Sequence, residues 1–307
     1  MPNIRKGDIR HPGAKVSLLR SKGARTYMSL EKIRIEKDSV QETLIVPLYG
    51  RKMCSEKFPE LYTDVFAKRL CDRLDYDFSE LEKKRNSFLY EFGALEAAMR
   101  QLDIMWEIKE YLKKHPGASI VNLGCGLDET GKACDNGICQ IVNVDLPDII
   151  SVRKKLIIEY DREKNVACDL RDYSWMSEVD ASKGVVFFAA GVFHYLKTNE
   201  VKSLVLELSK RFPGGCLVFD TVNKLGLKMM LKVLKNVGIR DVEGLFYVNN
   251  AKRELNWSRE VKLSSKDYML GYYDMKSPGI RFSHRLLARM ADKVMNMSVH
   301  RMDFAES

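Results

Sequence analysis

The sequence predicts a doubly wound α/β fold, and three observations carry that expectation. Short β-rich runs alternate with helix-like stretches: "SIVNL" at 119–123, "QIVNVDL" at 140–146, "NVACDL" at 165–170, "GVVFFAAGV" at 184–192 and "CLVFDTV" at 216–222. Several runs are apolar on both faces, as strands of a parallel sheet covered on each side must be. The first run passes into "GCG", Gly124 to Gly126, a tight strand-to-helix turn.

The remaining elements follow in chain order. Residues 1–37 hold ten Lys or Arg against three Asp or Glu, so most of the net charge of +9 sits in a basic N-terminal arm. The first ninety or so residues are helical in pattern and charge-rich, with an apolar "TLIVPLYG" at 43–50, and residues 1–86 are expected to form that arm and a helical cap. From Ser87 to Lys114 the apolar positions Phe88, Phe92, Leu95, Met99, Leu102 and Trp106 recur at steps of three or four, the spacing of one helical face. The helix ends in "YLKKHPG", where basic residues suit its carbonyl end and Pro116 with Gly117 stops it. Residues 87–307 then form the sheet domain, with an aromatic-rich insert over about 224–275, in which Trp257, Tyr268, Tyr272 and Tyr273 wall an acceptor site or, for at least two of them, pack into the core. The last strand lies in "MNMSVHRMDF".

Composition excludes several classes. The longest apolar run, Gly184 to Phe193, is about half of what crosses a bilayer, and the N-terminus lacks a signal-peptide core, so a cytoplasmic protein without a membrane partner is expected. Seven cysteines stand without a CxxC pair or a histidine cluster, which reads as reduced thiols and no metal site. The charge is terminal rather than spread, and "AGVFHY" stands where a nucleic-acid methyltransferase carries Asn-Pro-Pro-aromatic, so no nucleic-acid partner is expected.

In open α/β sheets ligands bind beyond the carboxyl ends of the strands, where strand order reverses. Polar residues cluster at those ends: the Gly124–Cys125–Gly126 turn, Asp145 with Leu146, Asp169 with Leu170, and the segment from Ala190 and Gly191 to His194 and Tyr195. A dinucleotide fingerprint needs a third glycine where Glu129 stands, which disfavours NAD, and acidic Asp128 and Glu129 disfavour a phosphate. A cationic, hydroxyl-bearing ligand fits better, and S-adenosylmethionine is one. Asp145, about twenty residues past the glycines, suits the two ribose hydroxyls of an adenosine; Asp169 suits the adenine amino group and Leu170 its ring.

"IVNLGCGLDET", "NVDLPDIISVRKKL", "CDLRDYSW" and "GVFHYL", in that order, resemble the leucine carboxyl methyltransferase family, especially its bacterial branch of tetracenomycin-type polyketide O-methyltransferases. The resemblance implies a Rossmann-like class I methyltransferase sheet that binds S-adenosylmethionine and leaves S-adenosylhomocysteine. It places the family's carboxylate-binding arginine on Arg100, its glycine contact on Gly124, its ribose acid on Asp145 and its adenine pair on Asp169 and Leu170. It also shows departures: Ala190 replaces a glutamate near the cofactor's amino group, and the basic residue near the start of the cap falls on Thr43 or Arg51.

Methyl transfer from a sulfonium is an in-line displacement, so the protein must chiefly hold donor and acceptor in contact and exclude water. A carboxylate acceptor needs no base, whereas a phenol with a pKa near 10 gains from one. His194 is the candidate base, Tyr195 a candidate wall, and Asp220 and Asn223 candidate acceptor-site residues. Three readings stay open: an O-methyltransferase acting on a small molecule, a protein C-terminal carboxyl methyltransferase, and a silent S-adenosylmethionine-binding protein.

Overall fold

A computed structural model describes residues 32–35, 40–236 and 244–306, so the expected basic arm lies almost wholly outside the described residues. Two short strands, β1 (Ile33–Arg34) and β2 (Leu74–Asp75), pair in parallel. Between them run a 3₁₀ turn over Val40–Leu44, α1 (Ile45–Lys57) and α2 (Val65–Arg73). The second helix starts at Asp64, whose carboxylate accepts the N–H groups of Phe66 and Ala67 and so satisfies two donors that the helix leaves over. After α3 (Ser79–Lys84) comes the long helix, α4 (Phe88–Lys114), within one residue of its predicted start and at its predicted end. It packs against α1 and crosses behind the central sheet.

The sheet alternates with helices: β3 (Ser119–Leu123), α5 (Thr130–Ala133), β4 (Gln140–Asp145), α6 (Pro147–Leu156), β5 (Glu163–Ala167), β6 (Val185–Ala189), α7 (Thr198–Arg211) and β7 (Cys216–Thr221). Then follow α8 (Lys224–Asn236), α9 (Ala251–Glu254), β8 (Val261–Asp267), α10 (Phe282–Val294) and β9 (Ser298–Phe304). The spatial order is β5-β4-β3-β6-β7-β9-β8. The first five are mutually parallel, while β9 runs antiparallel to both β7 and β8. From β3 the chain steps outward to β5, then returns to place β6 on the other side of β3. The reversal lies between β3 and β6, where a ligand cleft is expected.

Burial follows the strand period of two. Ile120, Val186, Phe188 and Val218 join the core under α4, while Val121, Phe187, Leu217 and Phe219 join a second core on the opposite face. Both faces are dry, and each such side chain removed from water contributes roughly 1.5–3 kcal/mol. That two-sided demand is why these runs are apolar throughout.

One expectation needs correction. The third strand starts at Glu163 rather than Asn165, because its register is set by pairing with β4, from Ile141 opposite Glu163 to Asp145 opposite Ala167. The charged Glu163 can lie in the sheet because Asn143, Lys132 and Arg153 surround its carboxylate. The edge strand β8 was not legible, since only Val261 and Leu263 of its residues are even partly buried.

Candidate functional site

The site begins where β3 must turn into a helix over the end of β4. Gly124 takes φ 67°, and a Cβ there would lie 2.7 Å from both methyls of Val192, so only glycine fits without moving β6's loop. Its N–H donates to Val144 O at 2.8 Å, and that of Cys125 to the same oxygen at 3.1 Å. Burial pushes the Cys125 thiol well up, leaving this residue its backbone role.

Asp145 ends β4 as a two-pronged clamp. Its Oδ2 accepts the Gly126 N–H at 2.7 Å and its Oδ1 the Leu146 N–H at 2.8 Å. Burial raises its pKa, against the pull of those two N–H groups. Behind the turn lies Arg153, 1% exposed, a residue the sequence reading missed. Its Nη1 donates to the carbonyls of Gly126 at 3.0 Å and Asp128 at 2.7 Å, and its Nε to Asn165 at 2.9 Å. The available signal was its spacing: Ile149, Arg153 and Leu156 share one face of α6, so the arginine stands at an apolar position. Glu129 is buried too and pairs with Lys132 at 3.0 Å, in the network that holds Glu163. From α1, Arg51 pairs with Asp64 at 3.1 Å and donates to Leu127 O at 3.3 Å.

A second group meets the turn across the switch point. Asp220, at the end of β7 and 4% exposed, accepts the Gly191 N–H at 2.6 Å. The same carboxylate lies 3.4 Å from His194 Nε2 and 3.7 Å from Arg100 Nη1. Burial opposes its ionisation, but the His194 contact and the Arg100 charge outweigh that and hold its pKa down to about 2. Burial likewise works against the Arg100 charge, yet the surrounding Tyr268, Asp220 and Glu96 keep the guanidinium firmly protonated. Gly191, at φ 68°, lets that guanidinium approach, since a Cβ there would lie 2.4 Å from Nη1. Ala190 precedes it, half-buried, and Tyr195 follows, its phenol held protonated by burial.

His194 is 2% exposed, and its Nδ1 lies 3.4 Å from Phe246 O. Both ring nitrogens therefore face oxygen acceptors, and a role as base requires one of these contacts to open. Glu96, one turn before Arg100 on α4, was not anticipated; burial raises its carboxyl pKa, and its backbone carbonyl accepts the Tyr268 hydroxyl at 2.9 Å.

At the end of β5, Leu170 is buried while the Asp169 carboxylate is held by Arg171 through Nε at 2.9 Å and Nη2 at 2.5 Å. That arginine lowers the Asp169 pKa. Leu170, Tyr173 and Leu196 line a shallow groove beside it, with Asn199 and Ser203 of α7 on its far wall.

The residues expected around an acceptor site are engaged within the fold. Asn223 is a joint rather than a lining group, donating from its N–H and Nδ2 to the carbonyls of Met295 and Val294, both at 2.8 Å. Asp220 is spent on Gly191, Arg100 and His194. The core reading holds for the aromatics, which do not form one wall: Trp257 packs with Phe246 in one core, while Tyr268, Tyr272 and Tyr273 belong to the other, Tyr272 bonding Glu107 at 2.7 Å.

This geometry agrees with what the chain is similar to. It is 28% identical over 185 residues, 60% of its length, to the tetracenomycin polyketide synthesis O-methyltransferase TcmP of Streptomyces glaucescens. It is 26% identical over 198 residues to the S-adenosyl-L-methionine-dependent methyltransferase dpfgK of Gibberella zeae, again across 60% of this chain. These matches span 66% and 65% of the two relatives' own lengths, just under two thirds. A DUF574 family protein of Streptomyces avermitilis shares the fold, with a TM-score of 0.56 at 13% identity over 82% of this chain and 99% of that one. The profile of the leucine carboxyl methyltransferase family matches residues 48–209, more than half of the chain, from within α1 through the glycine turn into α7. By that match the chain belongs to the leucine carboxyl methyltransferase family.

Proposed function

We propose that this protein is an S-adenosylmethionine-dependent O-methyltransferase whose acceptor is a carboxylate or hydroxyl of a small molecule. One observation supports the reading: the Asp145-clamped glycine turn follows β3, Asp169 and Leu170 follow β5, and Arg100 reaches Asp220 at the end of β7, so all three groups belong to the carboxyl ends of the parallel strands. These groups complement three parts of one ligand. The charged guanidinium of Arg100 matches an α-carboxylate in a bidentate way. Asp145 offers acceptors to two ribose hydroxyls, and Leu170 with its groove suits an adenine ring. When bound, the cofactor supplies a methyl group on a sulfonium, an electrophile poised for in-line displacement.

The chain's own residues bind, orient and exclude water. Asp220 ties Arg100 and the Gly191 amide to one carboxylate, so the β6 and β7 loops and α4 keep a common geometry around the reacting end. His194 acts as a positioning group for Asp220, and with a carboxylate acceptor no base is required. The polyketide synthesis named for the Streptomyces relative favours a small-molecule acceptor over a protein C-terminus.

Isothermal titration with S-adenosylhomocysteine tests the site. Micromolar or tighter binding is expected for the wild type and for the exposed control Glu60→Gln. Asp145→Ala removes two charge-assisted hydrogen bonds, at ~1.5–3 kcal/mol each, and affinity falls roughly 100-fold or more. Absence of heat with folded wild-type protein removes the enzyme reading and leaves the fold. Base-labile methyl label on protein C-termini, after incubation with labelled cofactor and a proteome, would move the acceptor to proteins.

A further inference from the structure

Half of the large apolar side chains that stand exposed among the described residues lie on just two helices. On α8 they are Leu225, Met229 and Val233, 48–53% exposed; on α10 they are Phe282, Leu286, Met290 and Val294, 46–69% exposed. Steps of four keep each set on a single helical face. In both helices a basic stripe runs immediately beside the apolar one: Lys224, Lys228 and Lys232 on α8, and Arg285, Arg289 and Lys293 on α10. The first helix contains no acidic residue. The single acid of the second, Asp292, is 5% exposed and turned inward to the N–H groups of Met269 and Leu270. Asn223 brings the last turn of α10 against the start of α8, and both helices bury their inner faces, Leu227 on α8 and Ala288 with Ala291 on α10, in the core under α4.

We propose that this α8–α10 face docks on an anionic lipid bilayer, lying in its surface. Charge is the first argument. Two basic stripes on helices without an exposed acid match a surface whose charge is uniformly negative, and basic amphipathic helices of this composition lie in the interface with their apolar residues below the headgroups. Shape is the second. The apolar side chains form rows spaced about one helical turn apart, and a fluid hydrocarbon layer receives such rows without the matched pockets that a protein partner must offer. The sequence reading expected no membrane partner because no segment could cross one. No helix among the described residues is long and apolar enough to span, but lying on a bilayer needs only a face.

The proposal is independent of methyl transfer, and vesicle sedimentation of the full chain tests it without cofactor. Phosphatidylcholine vesicles containing phosphatidylglycerol should bind the wild type about tenfold more strongly than phosphatidylcholine alone, with binding weakened by added salt. Met229→Glu combined with Leu286→Glu, and separately Lys232→Glu combined with Arg289→Glu, should each lower binding roughly tenfold while the melting curve stays in place, since all four side chains are exposed. Equal sedimentation with both vesicle types overturns the proposal, as does wild-type binding by both variants. Light scattering that shows a dimer dissolved by the Met229→Glu and Leu286→Glu pair assigns the face to a second copy instead.

Discussion

Replacing Asp103 by asparagine should stabilise this protein, and by an amount that depends on pH. Asp103 lies on α4, is 0% exposed, and neither of its carboxylate oxygens has a hydrogen-bond partner. The charged groups facing it are Asp292 of α10, Lys266 of β8 and Glu107 of its own helix. Burial, reinforced by the negative charge of Asp292 and opposed by Lys266, pushes its carboxyl up to about 9 from an ordinary 3.8. The folded protein therefore keeps a proton that the unfolded chain releases, and stability falls as pH rises from 3.8 to about 9 and is level outside that window. At ~1.4 kcal/mol for each pH step, the cost at pH 7 is of the order of 4 kcal/mol, a large share of the ~5–15 kcal/mol that a typical domain has. Asparagine keeps the shape and the unmet polar atoms but has no proton to release. Urea titrations from pH 5 to pH 8 should show the variant's midpoint above the wild type's, with the gap widening as pH rises. Asp292, raised by burial to about 6, titrates in both proteins and largely cancels in the difference. A gap that is constant with pH, or a variant less stable at pH 8, would refute the linkage.

Two further outcomes concern the site. In Gly191→Ala the new methyl meets Arg100 Nη1 at 2.4 Å and the backbone keeps φ 68°, so about 1–2 kcal/mol of stability is lost and S-adenosylhomocysteine binding weakens about tenfold as the guanidinium shifts. Unchanged affinity by calorimetry would place Arg100 outside the ligand site. In Asp220→Asn the stability that the ionised carboxylate contributes, present above pH 3.8 and lost as pH falls to about 2, is removed at neutral pH. Thermal melts should show a deficit on the order of 2 kcal/mol at pH 7 that narrows in acid, and a deficit growing toward low pH would contradict the assigned pairing.

What the amino-acid order determined by itself was the local and the repetitive. The α4 face shows at a helical period, and the apolar runs of β3, β6 and β7 show two-sided burial because every residue in them must leave water. The glycine turn, with Asp145 one strand later, is legible because each is tied to the end of a strand, and strand ends can be read from the pattern. Tertiary structure decided the rest. Asp220, His194, Gly191 and Arg100 come from β7, two parts of the loop after β6, and α4, and nothing in their spacing says that one carboxylate will serve all three partners. Arg153 stands at an apolar position of α6, but only the docking of that helix turns it onto the carbonyls of the glycine turn. The edge strand β8 carries too few buried side chains to announce itself and exists because β9 offers it a row of hydrogen-bonding partners. A charge is satisfied by whatever partner the packing brings within about 3 Å, so its role is fixed only once the chain has closed on itself.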